Sequence, residues 1–332
     1  MKNKPTTAWI LVLLTVLACC SSASAATLEE TLSQAMKSLG AARDDADLLM
    51  MTDAPYVRID GRCALPYLER AQQITGCTVG KGNLLFFQRP QSHPLRLMLM
   101  KKGTGDAVII SKTENEWLSE KLNLGSSAIA APSFWENAKK FEAGRDMFTL
   151  AAVANVWAKN GPYDFLKSAE LHNHICPGLT SGYLIAHYVL DRYPVQPGER
   201  YTIVACPVWC KEDALQVVLD CTPGKKGMIV KRLSQAQRAN IAVADPAGML
   251  LIWDADKKSG RGVALSFDFD RLRALSPQDT PKAATVLAVL DHLDTPERFV
   301  STAKEFDLNE NLFNEIIRAS GNPYEAAGLV KK

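Results

Sequence analysis

The spacing of apolar residues along this chain changes period several times, and each change marks an element. Val, Ile, Tyr and Trp concentrate in short runs at Tyr201–Ala205, Met228–Lys231, Asn240–Ala244, Met249–Trp253 and Val263–Phe267, which predicts strands. Helical spacing instead runs through Leu179–Leu190, with Pro177 and Gly178 at its entry. It also covers Phe134–Lys159, where Phe148, Val153 and Trp157 are the later apolar positions, and the amphipathic stretches Lys282–Leu293 and Glu297–Phe306. Asn309–Ala319 predicts a last helix, ended by Gly321-Asn322-Pro323, and Glu114–Asn123 reads as a short polar helix. Gly103–Asp106 is a turn and Gly125–Ser133 a linker. Runs of antiparallel strands with helices packed against them predict an α+β fold.

The N-terminus has a different pattern. After a basic start, Ile10–Cys20 is almost unbroken apolar sequence, followed by Ala23-Ser24-Ala25, which predicts a secretory signal peptide over residues 1–25 cleaved before Ala26. The run is too short for a transmembrane span, and no later run suggests one. A lipoprotein signal at Val16-Leu17-Ala18-Cys19 fits less well, because Leu17 sits within it and a second cysteine, Cys20, follows directly. The expected location is therefore periplasmic or secreted.

Of the 332 residues, 38 are basic and 36 acidic, and loss of residues 1–25 would remove Lys2 and Lys4 and leave 36 of each. A formally neutral mature chain has no basic footprint for nucleic acid. Some three hundred residues predict two domains.

Six cysteines would remain after cleavage, and in an oxidising compartment Cys63 with Cys77, or Cys206 with Cys221, are the obvious disulfide candidates. Cys176 reads differently, because it lies in His172-Asn173-His174-Ile175-Cys176-Pro177-Gly178, which holds two of the five histidines. In an extended segment His172, His174 and Cys176 would share one face at spacings of roughly 6–7 Å. Imidazole and thiolate suit zinc and neighbouring late transition metals. A thiol at a helix N-terminus is also favoured as thiolate. Cys210, just before the amphipathic run Lys211–Leu219, is the fourth candidate ligand. Asp213 has two readings, stabilising the first turn of that helix or orienting a ligating imidazole. His187, His93 and His292 carry no such pattern, and Thr222-Pro223-Gly224-Lys225 reads as a turn rather than a phosphate loop.

These segments resemble the FmdE domain family of formylmethanofuran dehydrogenase proteins, whose members carry H-x-H-x-C-P-G and later C-x-x-D-A-x-Q-x-x-x-x-C-T-x-G-K. Here the two elements are His172–Gly178 and Cys210–Lys225. Asn173 and Asp220 stand where glycine is usual, Lys226-Gly227 replaces a frequent Gly-Asn, and no cysteine-rich zinc ribbon follows. The resemblance implies a domain similar in topology to the C-terminal domain of glyceraldehyde-phosphate dehydrogenase.

A fainter copy lies upstream. Aligning Cys77 with Cys221 pairs Gln72 with Gln216, Thr78 with Thr222, Gly80 with Gly224 and Lys81 with Lys225, while Pro66 falls opposite Cys210 and Glu69 opposite Asp213. The expected organisation is a degenerate FmdE-like copy over 26–125, beginning its motif at Tyr56–Cys63, a linker and connecting helix over 126–160, and a metal-binding copy over 161–332. Three functions remain in view: a zinc or similar metal-binding protein for binding or delivery, a metal-dependent enzyme with an open coordination position, and a binder of a tetrapyrrole or other metallated cofactor. A small-molecule cofactor and homo-oligomerisation are left open.

Overall fold

Two β-α-β crossovers organise the protein. In the first, strand β1 (Leu48–Thr52) is joined through helix α2 (Leu65–Thr75) to β4 (Leu84–Phe86), and β1 and β4 pair in parallel. In the second, β8 (Glu199–Ala205) is joined through α8 (Lys211–Val218) to β9 (Met228–Val230), again in parallel. Parallel neighbours need a connection that recrosses the sheet, which is the role of α2 and α8. The computed structural model describes residues 26–331, so the expected signal segment 1–25 lies outside the described residues.

Each crossover continues into an antiparallel meander. Strands β5 (Arg96–Lys101), β6 (Asp106–Lys112) and β7 (Trp117–Asn123) extend the first sheet to the order β4-β1-β5-β6-β7. Strands β10 (Pro246–Asp254), β11 (Ser259–Phe267) and β12 (Val300–Asn309) extend the second, which reads β9-β8-β10-β11-β12 from the equivalent edge. Order and pairing sense coincide strand for strand. The sheets are thus mixed rather than wholly antiparallel.

Three connections distinguish the units. Met50 pairs with Leu84 and Ile203 with Met228, separations of 34 and 25 residues, so the first unit carries nine more residues between its paired strands. They form the small hairpin β2 (Arg58–Ile59) and β3 (Arg62–Cys63). The stretch Tyr56–Cys63, expected to open the motif of the first copy, is therefore a turn and hairpin, and the strand placed like β8 is Leu48–Thr52. In the second unit, residues 268–299 separate β11 from β12 and include α10 (Phe269–Arg273) and α11 (Lys282–Val289), where the first unit has a tight turn closed by Thr113 and Glu116. A further segment after β9 carries α9 (Gln235–Ala239).

Burial explains why Leu48-Leu49-Met50-Met51 lacks alternation. Leu48 and Met50 pack with Leu32 and Met36 of α1 (Leu28–Ser38) and Leu68 of α2, while Leu49 and Met51 face the central core. A strand covered on both faces reads as a continuous apolar run. The central core also receives α3 (Ser126–Ile129), α4 (Pro132–Ala138), α5 (Met147–Ala158), α6 (Tyr163–His172), α7 (Pro177–Arg192) and the Ile203, Leu250 and Ile252 face of the second sheet. The opposite face of that sheet, with Val204 and Leu251, is covered by α12 (Glu310–Ile317) and α13 (Pro323–Ala326).

Several expectations fail locally. The stretch Glu114–Asn123 contains β7 rather than a helix, and its exposed positions Ser119, Lys121 and Asn123 alternate as on an edge strand. Glu297–Phe306 supplies most of β12, whose register with β11 overrides a helical spacing of charges. Asn240–Ala244 contributes one bridge, Ile241 to Val330, instead of a strand. Phe134–Lys159 breaks into α4, a short 3-10 turn at Glu142–Arg145 and α5, and Gly125–Ser133 contains α3 and the start of α4.

Candidate metal centre

One helix end and two helix starts converge here. Helix α6 ends at His172, and Asn173 takes the left-handed conformation (φ 66°) that stops it. Asn173 is fixed from two sides: its backbone carbonyl accepts the Thr149 hydroxyl at 2.6 Å, and its side-chain oxygen accepts the backbone N–H of Gln88 at 2.7 Å. Ile175 is fully buried in the central core, which pins the turn. Cys176 then caps α7, its Sγ accepting the Leu179 N–H at 3.4 Å, with Pro177 at the first helical position. The segment is thus a helix-to-helix turn rather than an extended strand. His172 and Cys176 meet because the chain turns back on itself.

Cys210 arrives from the start of α8, and glycines explain how closely. A Cβ on Gly182 would lie 2.2 Å from the Lys211 carbonyl oxygen, and one on Gly178 would lie 3.0 Å from Cys210 Cβ and 3.2 Å from its Sγ. These glycines, four apart on α7, form the groove in which α8 begins. Trp209 Nε1 donates to Ser181 Oγ at 2.9 Å, and buried Lys211 pairs with Glu212 and donates to the Pro207 carbonyl at 2.5 Å. Cys210 is therefore held on a rigid elbow.

The result is a cluster of His172, Cys176 and Cys210 whose ligand atoms all lie within 4.8 Å of one another. His172 Nε2 is 3.8 Å from Cys176 Sγ, and His172 Nδ1 is 2.7 Å from Asp213 Oδ2. With its Nδ1–H donated to that carboxylate, neutral His172 leaves Nε2 as the metal-facing lone pair. Two thiolates and an imidazole are a zinc-type donor set. Tetrahedral zinc with bonds of about 2.0–2.3 Å needs ligand atoms roughly 3.3–3.8 Å apart, so a slight contraction completes the fit. His174 lies outside this cluster. Its ring packs 4.3 Å from that of His172 and edge-on to Phe148 at 5.4 Å.

Charge is already arranged for the ligands. Burial opposes the ionised form of Cys176, but hydrogen bonds from His172, His174 and the Leu179 N–H outweigh it and hold the thiol well below its ordinary range. Burial likewise opposes protonation of His172, yet Asp213 and Cys176 raise it to about 9. Cys210 is pushed up by burial and by the neighbouring Cys176 thiolate. These shifts favour an imidazolium-thiolate pair, with a second, protonated thiol beside it, in the metal-free site. A divalent ion would displace the protons.

The other candidates are elsewhere. All six cysteines among the described residues are free: Cys63 is exposed, and Cys77, Cys206 and Cys221 are buried without bridging. The disulfide pairs expected from composition are therefore not formed. Cys221 Sγ instead contacts the Leu219 carbonyl at 3.4 Å. His187 Nε2 contacts Asp164 at 3.3 Å, and Lys225 pairs with Asp220 in an exposed turn. Sequence reading missed Gly182, Ser181 and Trp209 as supports. The Gly178-x-x-x-Gly182 spacing at the mouth of a predicted helix was the available signal.

A search of curated proteins finds no match to the chain. Residues 171–305, from the end of α6 through most of β12 and including all three clustered ligands, match the family described as FmdE, Molybdenum formylmethanofuran dehydrogenase operon.

Proposed function

We propose that this is an exported metal-binding protein, built from two copies of one β-α-β meander unit, of which only the second holds a metal. Zinc or another late transition metal ion is held by His172 Nε2, Cys176 and Cys210, with Asp213 fixing the imidazole and His174 lying against His172. The observation that carries this reading is the convergence of three soft ligand atoms within 4.8 Å, reached from separate parts of the chain. Ligands from α6, the α7 cap and the α8 start would be an improbable coincidence of core packing, particularly with a carboxylate behind the histidine.

Three protein ligands leave a coordination position for a further donor, the arrangement of zinc sites that exchange ligands rather than merely staple a fold. That suits uptake and delivery. It also suits hydrolysis, the second reading, which is favoured by the cavity that Cys176 lines. The test is metal analysis of protein purified without chelator, followed by cobalt substitution. About one equivalent, with intense thiolate-to-cobalt absorption, is expected. Protein that binds no cobalt after reduction and metal removal would end the metal reading.

A further inference from the structure

The segment 268–299 is the largest difference between the two units, and it stands beside the metal cluster. With the N-terminal end of α7 it borders an open-sided cavity of about 760 Å³, lined by Cys176 on one side and by Phe269, Arg273, Pro277 and Lys282 on the other. That volume lies within the range of small-molecule sites. Phe269 is anchored from the metal side, its ring 5.5 Å from that of Trp209, the neighbour of Cys210. The segment's apolar anchor therefore rests on the same elbow that presents a ligand.

The lining is chemically two-sided. Phe269 and Pro277 give an apolar surface, whereas Arg273 and Lys282 bring two cations, and Asp270 and Asp279 two carboxylates, to the same cavity. Arg273 pairs with Asp270, but both side chains are largely exposed, so that pair is weak and exchanges readily for a ligand carboxylate. Lys282 forms no ion pair among the described residues.

We infer that this cavity binds a small organic anion with an apolar body, its body on Phe269 and its anionic group shared by Arg273, Lys282 and the ion at Cys176. The inference rests on the metal reading for its last element. The ion would then be bound with its organic ligand rather than bare.

The probe is 3-phenylpropanoate, with acetate as the control lacking the apolar body, titrated into the cobalt-loaded protein. 3-Phenylpropanoate should shift the visible cobalt bands saturably and at least about tenfold more tightly than acetate, the phenyl group contributing burial. Arg273→Ala with Lys282→Ala should weaken both anions about tenfold or more. Phe269→Ala should weaken 3-phenylpropanoate alone. Cobalt stoichiometry and thiolate absorption should persist in each variant, showing that the fold and metal cluster remain intact. No shift, equal affinity for the two anions, or indifference to these substitutions would overturn the inference while leaving the metal reading standing. If cobalt itself does not bind, the metal reading fails. Calorimetry of 3-phenylpropanoate on the metal-free protein then decides the cavity alone: heat lost in the Arg273→Ala, Lys282→Ala variant retains the anion site, and no heat removes it.

Discussion

The two sheets share strand order and pairing sense, yet they use the end of the first strand in opposite ways. After β1 the chain enters Asp53, fully buried, which accepts the Arg96 N–H at 2.8 Å and pairs with Arg89 at 3.0 Å. After β8 the equivalent position is Cys206, leading through Trp209 to the Cys210 elbow. The crossover helices differ correspondingly. Pro66 and Glu69 on α2 face solvent, whereas Cys210 and Asp213 lie under the α6–α7 turn. The loops that follow remain alike: Thr78 accepts the Lys81 N–H and Thr222 the Lys225 N–H, each at 3.3 Å. The two units thus share strand order and differ in the residues carried on their connections, and the His172, Cys176 and Cys210 cluster occurs on the second alone among the described residues.

The comparison is broken most completely at the thiols. Cys176→Ser or Cys210→Ser should reduce metal content from about one equivalent to below detection, because a neutral hydroxyl is a poor replacement for thiolate. Cys63→Ser and Cys77→Ser in the first unit should leave it unchanged. Loss of metal in either of those would move the site or divide it between the units.

Helix packing gives the next largest contrast. Gly182→Ala places a methyl group against the Lys211 carbonyl and should destabilise the fold by about 1–3 kcal/mol or more, and it should weaken metal binding by displacing Cys210. Gly80→Ala meets nothing within 4 Å and should stay within about 0.5 kcal/mol of the parent. Denaturant melts and cobalt titrations of both variants read the two effects separately.

Asp213→Ala should lower metal affinity roughly 10–100-fold, the usual cost of removing a carboxylate behind a ligating imidazole. Glu69→Ala, at the aligned position of the first unit, should do nothing to it. An equal effect of both would show that Asp213 acts only as an acidic residue at a helix start.

Proton release sharpens the same site. In the metal-free protein His172 is raised to about 9, so below that pH it carries a proton that metal must displace. Cys210 is raised as well and gives up a second proton, while Cys176, lowered, is already thiolate near neutrality. Apparent affinity should therefore fall as pH falls below about 9, by up to about a hundredfold per unit, and level off above the range where both groups have ionised. Metal addition in weakly buffered solution near pH 7.5 should release about two protons. Release of none would contradict the imidazolium-thiolate assignment.

How much of this was legible depended on range. The crossover helix and following loop of the second unit, Lys211–Lys225, were readable because their signals are local: a periodic apolar face, then Thr-Pro-Gly-Lys. The helix α7 was readable for the same reason. β7 and β12 were not, since their charged residues repeat at helix-compatible intervals and only pairing with β6 and β11 makes them strands. His172, Cys176 and Cys210 were visible as residue types, but the extended geometry assumed for the first two was wrong. Asn173 could have signalled the correct turn, as one of the few non-glycine residues that enter the left-handed region readily.

Asn173 also carries the smallest predicted effect, and the one that asks whether the first unit contributes to the site at all. Its side chain accepts the Gln88 N–H of the segment after β4, and Tyr56 donates to Glu170 on α6 at 2.7 Å, so the ligand-bearing turn is tied to the first unit by two hydrogen bonds. Asn173→Gly preserves the left-handed backbone and removes the tie to Gln88. Asn173→Ala removes the tie and adds backbone strain. The glycine variant should lose no more than about 1 kcal/mol, because gained conformational compatibility offsets part of the lost bond, while the alanine variant should lose about 1–2 kcal/mol more. If the first unit merely covers the central core, the glycine variant will bind cobalt as the parent does. If it positions the turn, cobalt affinity will fall a few-fold in the glycine variant and Tyr56→Phe will lower it further, although neither residue touches the ion.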